Sequence, residues 1–454
     1  MNRLATHLAE RYDGKRILVL GWAREGQTTH TLLTKACPTA ELFVSDGNQD
    51  VLHAWMQETN IELRIGPYLQ DLQQFDVIFK TPGVPIHIPE LQEYLASGGV
   101  VTSQLAEFLS VYRDQVIGIT GTKGKSTTAS LIAHLYATAG KEVLLAGNIG
   151  KPVFEVASEL TPTTTIVIEM SSYQLETVQT SPHLAVLLNL FPEHLNYHRT
   201  LENYLLAKAK ITRFQNSNDT VIYNQDSAEL SLAARNSPAR KLPFSYQAQL
   251  QYPEVVQQVM TMLNQLDLPS TIKKWNILPA LLVTSLELDL SADQMVDALK
   301  EFRTLPHRLE TVGQFGAVTW IDDTLATIPE ATIAALDSLP KVDVLMVGGF
   351  DRGISYQKII DAIQTKKIAA VAFFKPSGQL IFDGIRAQYP ESSWPKMQLV
   401  ESMEEAVRFA YQHAPENGVV LLSPSSPSFG QFKDYEDKSA QYRSWIEQLA
   451  NQDF

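Results

Sequence analysis

Short apolar runs recur along the chain, each closed by glycine, proline or an acid and followed by a stretch whose apolar residues fall at helical spacing. The runs cover residues 15–22, Glu41–Ser45, Phe75–Lys80, Gln115–Thr120, Lys141–Ala146, Thr165–Ile168, Leu184–Leu190 and 220–224. Helical spacing follows to Lys35, through Leu131, Ile132, Leu135 and Tyr136 up to a capping Gly140, over Leu201–Phe214, and from Trp275 to about Leu288. After Leu305 the alternation restarts, with strands at Val318–Asp323, Val342–Val347, 368–374 and 418–423 and helices to Leu339, near 355–365 and near 402–413. Such alternation predicts α/β domains built on parallel sheets. Residues 105–114, polar with scattered apolar positions, read as a join between domains, and 225–275 carry no clear pattern.

A chain of 454 residues exceeds one ordinary core, and these breaks divide it into 1–110, 111–304 and 305–454. Hydrophobic content of 44% against 19% charged residues fits globular packing. Met1–Lys15 lacks the apolar centre of a secretion signal and no run reaches membrane-span length, so no membrane insertion is expected. Cys37 is the only cysteine, which excludes an intrachain disulfide and argues against a thiolate metal site; a cytoplasmic protein is the simplest expectation. The net charge of −13 disfavours sequence-independent binding of nucleic acid. Anionic ligands must then be held by local amides, lysines and metal rather than steered in by the overall field.

Candidate chemistry concentrates at Gly118-Ile-Thr-Gly-Thr-Lys-Gly-Lys-Ser-Thr-Thr128, between a strand and a helix. The loop and the helix N-terminus aim backbone N–H groups and the positive end of a dipole at one spot, which suits a phosphate. Lys125 reaches the outer phosphates, and the hydroxyl of Ser126 or Thr127 suits a magnesium ion bridging them. Ile119 stands where the strict phosphate-loop motif has glycine. A plain strand-turn-helix with solvated lysines is the alternative.

Other residues stand at strand ends, where open α/β sheets place ligands. Gly21 and Gly26 follow the first strand in a GxxxxG spacing that lacks the central glycine of the dinucleotide fingerprint, which argues against NAD. Asp46 follows the second strand and suits either a ribose or base edge or a solvated turn. Thr81-Pro-Gly-Val-Pro85 forces a sharp turn after the third. Glu169, at the end of an apolar strand near the phosphate loop, suits a metal, or simply ends a core strand. His194 follows a further strand that brings it to the same sheet edge, and Lys208 and Lys210 read by default as solvated helix lysines.

In this order the motifs resemble the Mur ligases, ATP-dependent enzymes that build the peptidoglycan stem peptide, and most closely their glutamate-adding branch. The resemblance rests on Gly121-Thr-Lys-Gly-Lys-Ser-Thr127, Gly147-Asn-Ile-Gly150, Glu169 with Ser171-Ser-Tyr-Gln-Leu-Glu176, Glu193-His194, Ala207-Lys208, Pro306-His-Arg308, Asp322-Asp323, Gly348-Gly349 and Leu422-Ser-Pro424. It implies a Rossmann-like N-terminal domain, a central P-loop ATPase-like parallel sheet and a C-terminal Rossmann-like domain. It further implies that Gly121, Thr122, Lys123, Gly124, Lys125, Ser126 and Thr127 hold ATP, and that Ser126, Glu169, His194 and Lys208 serve magnesium, Lys208 as a carbamate. Lys125, Glu169, His194 and Lys208 become the catalytic group. Asn276, Arg308 and Asp323 match contacts to adenine, phosphate and ribose. Gly21, Asp46, Thr81 and Gly83 lie where the uridine end of UDP-N-acetylmuramoyl-L-alanine is held, Asn148 and Ser171 also fall among the substrate-binding positions, and Thr327, Ser428 and Tyr435 lie on the glutamate side.

The resemblance also implies a monomer whose third domain closes. Departures stand at Leu325, where D-glutamate-adding members carry lysine, at Tyr435, where phenylalanine is common, and at Trp275 and Pro279 on the adenine side. The segment Thr324–Ile333 looks more like a sister branch that adds L-glutamate, leaving both enantiomers open. A folate polyglutamate or other amino-acid ligase of the same fold, and a non-catalytic nucleotide-binding partner, are the rival readings.

Overall fold

The computed structural model describes residues 2–191, 193, 195–264, 274–302, 306–351, 353–428 and 430–450. They form two compact units, Met1–Phe302 and Arg303–Phe454.

The first unit carries two parallel sheets. Strands β1 (Arg16–Leu20), β2 (Glu41–Ser45), β3 (Val77–Lys80) and β4 (Val100–Thr102) pair in the order β2-β1-β3-β4. Chain direction across the sheet reverses between β2 and β3, so a crevice opens beyond the ends of β1 and β3. The second sheet runs β10-β9-β8-β5-β7-β6, from β5 (Val116–Thr120), β6 (Val143–Gly147), β7 (Thr165–Glu169), β8 (Leu184–Leu187), β9 (Thr220–Asn224) and β10 (Arg240–Phe244). Central β5 and β8 are buried along their whole length, as their unbroken apolar runs require.

Residues 105–114 are not a polar join. They lie largely in a helix, Gln104–Tyr112, capped by the Ser103 hydroxyl, whose Leu105, Phe108, Leu109 and Tyr112 are buried. One apolar core runs from Leu4 and Leu8 through this helix to Ile166, Ile168 and Val221 of the second sheet, which makes the two sheets one unit. The start of the chain contributes the helix Arg3–Tyr12, which carries Leu4, Ala5, Leu8 and Tyr12 on its buried face. Within the unpatterned 225–275 stretch the structure adds the helices Ala228–Arg235 and Glu254–Leu263 besides β10.

The second unit holds one sheet in the order β11-β12-β16-β13-β14-β15, from β11 (Glu310–Phe315), β12 (Val318–Asp322), β13 (Val344–Gly348), β14 (Ala370–Phe374), β15 (Lys396–Val400) and β16 (Val419–Leu422). It is not wholly parallel: β11 pairs antiparallel with β12 through the turn at Gly316 and Ala317. Two apolar cores cover its faces. The helix Tyr435–Ala450 buries Lys438, whose ammonium donates to the Gly348 carbonyl at 2.9 Å and lies 4.3 Å from the Phe374 ring centre. Among the described residues no helix is long and apolar enough to cross a membrane.

Candidate active site

The phosphate loop leaves β5 and enters the helix Lys125–Thr138 at Gly124, an N-cap with φ of 83° and no side chain to occupy the first-turn amides. The loop is held from β8's end. Asn189 accepts the N–H groups of Thr122 and Lys123 on its Oδ1 at 3.0 and 2.8 Å and donates back to the Lys123 carbonyl at 2.8 Å. Thr122 spends its hydroxyl on Tyr204 (3.0 Å) and on the Phe191 backbone. Lys125 Nζ donates to the Thr122 carbonyl at 3.0 Å, while Thr127 is half-buried at the loop's exit. Asn276 Nδ2 donates to the Gly124 carbonyl at 3.0 Å and to Thr128 at 3.2 Å, so in this structure its amide tethers the loop.

Glu169 ends β7 next to β5, buried, with Oε1 accepting from Asn148 Nδ2 at 2.7 Å. Asn148 thus holds the carboxylate. Two oxygens, Glu169 Oε2 and Ser126 Oγ, are buried without a hydrogen-bond partner among the described residues, an arrangement suited to a hard cation. Ser171 is committed to capping the helix Ser172–Leu175 in a reciprocal pair with Gln174.

Lys208 overturns its default reading as a solvated lysine. It is 2% exposed, donates to the Gly121 carbonyl at 2.7 Å and lies 4.7 Å from the Tyr204 ring centre. Burial, and then the charge of Lys125, hold its ammonium well below the usual lysine range, against the opposing pull of Glu193 and Glu169. Lys210 is likewise drawn in, donating to the Glu176 carbonyl. His194 lies outside the described residues. Among the described residues, two groups of histidines and carboxylates could surround a cation, His87 with Glu176 and His198, and His307 with Glu310 and Asp322.

At the crevice of the first sheet, a cavity of about 420 Å³ is lined by Gly21, Asp46, Tyr68, Thr81 and Gly83 among others. Asp46 receives the Trp22 N–H at 2.8 Å on one oxygen and the Asn48 N–H at 2.9 Å on the other. Gly21 has φ of 99°, and a Cβ there would fall 1.9 Å from Thr81 Oγ1.

In the second unit, Asp323 is buried, accepts from Ser423 Oγ at 2.7 Å and from the Leu309 N–H at 3.2 Å, and is raised by burial to about 7. The hydrogen bond and the charge of exposed Arg308 pull the other way. Ser428 is buried with its hydroxyl unpartnered among the described residues, and Thr327 is half-buried. Tyr435 donates to Glu436 at 3.2 Å and lies edge-on to His307. Sequence reasoning missed Asn189 and Tyr204, which hold the phosphate loop. Asn189's place just beyond a strand parallel to β5 is the signal that marks it.

Residues 119–272 match the Mur ligase middle domain, and 307–426 match the domain described as Mur ligase, glutamate ligase domain. A curated relative from Symbiobacterium thermophilum, a UDP-N-acetylmuramoylalanine–D-glutamate ligase, is 32% identical over 84% of this chain and 86% of its own. The enzyme of that name from Salinibacter ruber is 31% identical over 96% and 98%. Among solved structures, the UDP-N-acetylmuramate–alanine ligase of Thermotoga maritima matches with a TM-score of 0.54 at 18% identity, covering 97% of this chain and all of that one. Escherichia coli FolC in complex with DHPP and ADP matches at 0.52 and 16%, over 76% and 91%. The protein is an ATP-dependent acid–amino-acid ligase and belongs to the Mur ligase family.

Proposed function

We propose that the chain joins glutamate to UDP-N-acetylmuramoyl-L-alanine in cytoplasmic peptidoglycan precursor synthesis, with residues 1–110 holding the nucleotide sugar, 111–304 ATP and 305–454 glutamate. The observation that carries this reading is the pair of unpartnered buried oxygens, Ser126 Oγ and Glu169 Oε2, set beside a phosphate loop and the buried Lys208. A carboxylate resists attack by an amine, so the acid is first phosphorylated by ATP. The glutamate amine then displaces phosphate through a tetrahedral oxyanion. Lys125 and the first-turn amides bind and orient the phosphates, Asn148 keeps Glu169 aimed, and Asn189 keeps the loop open. Magnesium, when bound by Ser126, Glu169 and the other expected ligands His194 and Lys208, supplies charge neutralisation on the phosphate oxygens.

Lys208 in its neutral form adds carbon dioxide through Nζ and releases a proton, which turns a buried amine into a carbamate that carries a carboxylate. Asp46, Gly21, Thr81 and Gly83 hold the uridine end, Asp323 and Arg308 the ATP ribose and phosphate, and Thr327, Ser428 and Tyr435 the glutamate. The protein acts as a monomer.

The relatives' names specify D-glutamate. A second reading, L-glutamate, is favoured by Leu325, whose side chain offers no cation to the incoming carboxylate. Phosphate release with the nucleotide sugar, ATP and each enantiomer separately tests both. The proposal requires release with one enantiomer, lost in Lys125→Ala; full activity of that variant, or release with neither enantiomer, sinks it.

A further inference from the structure

One turn, Thr81–Ile86, borders the first-sheet cavity, and its opposite side is fastened by three buried or half-buried side chains. Lys80, the last residue of β3, is 1% exposed in its side chain. Its ammonium lies 2.7 Å from the Val84 carbonyl, 3.3 Å from that of Thr81 and 3.1 Å from Glu176 Oε2. Tyr197 Oη lies 2.8 Å from the Pro82 carbonyl and 3.0 Å from Glu176 Oε2. The same Glu176 oxygen accepts the Ile86 N–H at 3.3 Å. Three ammonium hydrogens and one phenol hydrogen thus meet three turn carbonyls and one carboxylate, leaving no donor to spare.

The fastening residues come from both sheets. Lys80 belongs to the first; Glu176 follows the helix Ser172–Leu175, seven residues after Glu169, and Tyr197 belongs to the short helix Leu195–His198 beyond β8. His87 and His198 lie 3.7 and 3.5 Å from the other Glu176 oxygen, which has no hydrogen-bond partner among the described residues, so what holds the carboxylate is its Oε2 contacts with Lys80, Tyr197 and Ile86. A turn whose own carbonyls are tied across this boundary cannot shift without breaking a buried ion pair, which is costly once one partner is lost.

We infer that Lys80, Glu176 and Tyr197 are positioning residues that fix the substrate-holding turn against the sheet bearing Glu169, so that the cavity's occupant is presented to the phosphate loop in register. This deepens the proposed function and rests on its reading of the cavity as the nucleotide-sugar site.

Tyr197→Phe removes one hydroxyl and keeps the ring, which packs 4.1 Å from that of Tyr173. It is expected to raise the KM for UDP-N-acetylmuramoyl-L-alanine about five- to tenfold, equivalent to the loss of one hydrogen bond of about 1 kcal/mol, with the KM for ATP and the melting temperature unchanged. Lys80→Met strands the buried Glu176 charge and lowers the melting temperature. The double variant Lys80→Met/Glu176→Gln removes both charges, so it restores the melting temperature while leaving the KM for the nucleotide sugar high. A merely structural role predicts that KM and stability recover together, and that outcome overturns the inference, as does a wild-type KM in Tyr197→Phe. Calorimetric titration of the wild type with the nucleotide sugar separates the two levels: no binding overturns the substrate reading and the clamp with it, whereas binding that Tyr197→Phe leaves intact overturns the clamp alone.

Discussion

Replacing Lys438 by methionine is expected to stabilise the protein, and to do so in a pH-dependent way. The side chain is fully buried in the second unit, with one hydrogen bond to the Gly348 carbonyl and two rings, Phe374 and Phe432, beneath its ammonium. Burial lowers that group from 10.5 to about 7. At about 1.4 kcal/mol per decade, keeping it charged in the fold costs about 5 kcal/mol relative to the unfolded chain. The lost hydrogen bond and ring contacts return about 2 kcal/mol, so methionine, which keeps the stem, gains about 3 kcal/mol.

Because the folded value lies below the unfolded one, the unfolded chain binds the extra proton between about pH 7 and 10.5. The native protein's stability therefore rises across that window, and below it the penalty is constant. The advantage of Lys438→Met is then largest at and below neutral pH and shrinks steadily towards pH 10. Scanning calorimetry of the whole chain at pH 6.5, 8 and 9.5 reads it, with a shift of roughly 6–12 °C in the second unit's transition at pH 6.5. A destabilised variant, or an advantage that does not decline with pH, refutes the reasoning.

Gly124→Ala places a Cβ 2.5 Å from Asn276 Nδ2 at a residue with φ of 83°; at least a tenfold loss of ATP affinity is expected by titration, with nucleotide-sugar binding unchanged. Gly21→Ala, blocked by Thr81, is expected to show the reverse pattern, with the KM for the nucleotide sugar raised tenfold or more and ATP binding intact. If Lys208 works as a carbamate, turnover falls several-fold in buffer stripped of carbon dioxide and returns with bicarbonate; indifference to both counts against it.

The strands were legible because β5, β7, β13 and β16 are buried from both faces and so are written as uninterrupted apolar runs. The helix Arg3–Tyr12 was not read, although its Leu4, Ala5, Leu8 and Tyr12 fall at helical spacing, and the antiparallel β11 was hidden because its residues are half exposed and largely polar. In the site, glycine, lysine and hydroxyl spacing exposed the phosphate loop, whereas burial of a lysine leaves no mark on sequence. Lys208, Lys80 and Lys438 look identical there to solvated lysines, and only the fold shows their different surroundings. Asn148 and Ser171, expected at the substrate, also have internal hydrogen bonds that shape their neighbours.

The brace that Asn189 provides to Thr122 and Lys123 has a kinetic corollary. A loop already bent to its working curvature pays its folding entropy during biosynthesis rather than at each turnover. Nucleotide capture is then governed by encounter and shedding of water, and Asn189→Ala is the change that would make it wait for the loop to organise itself.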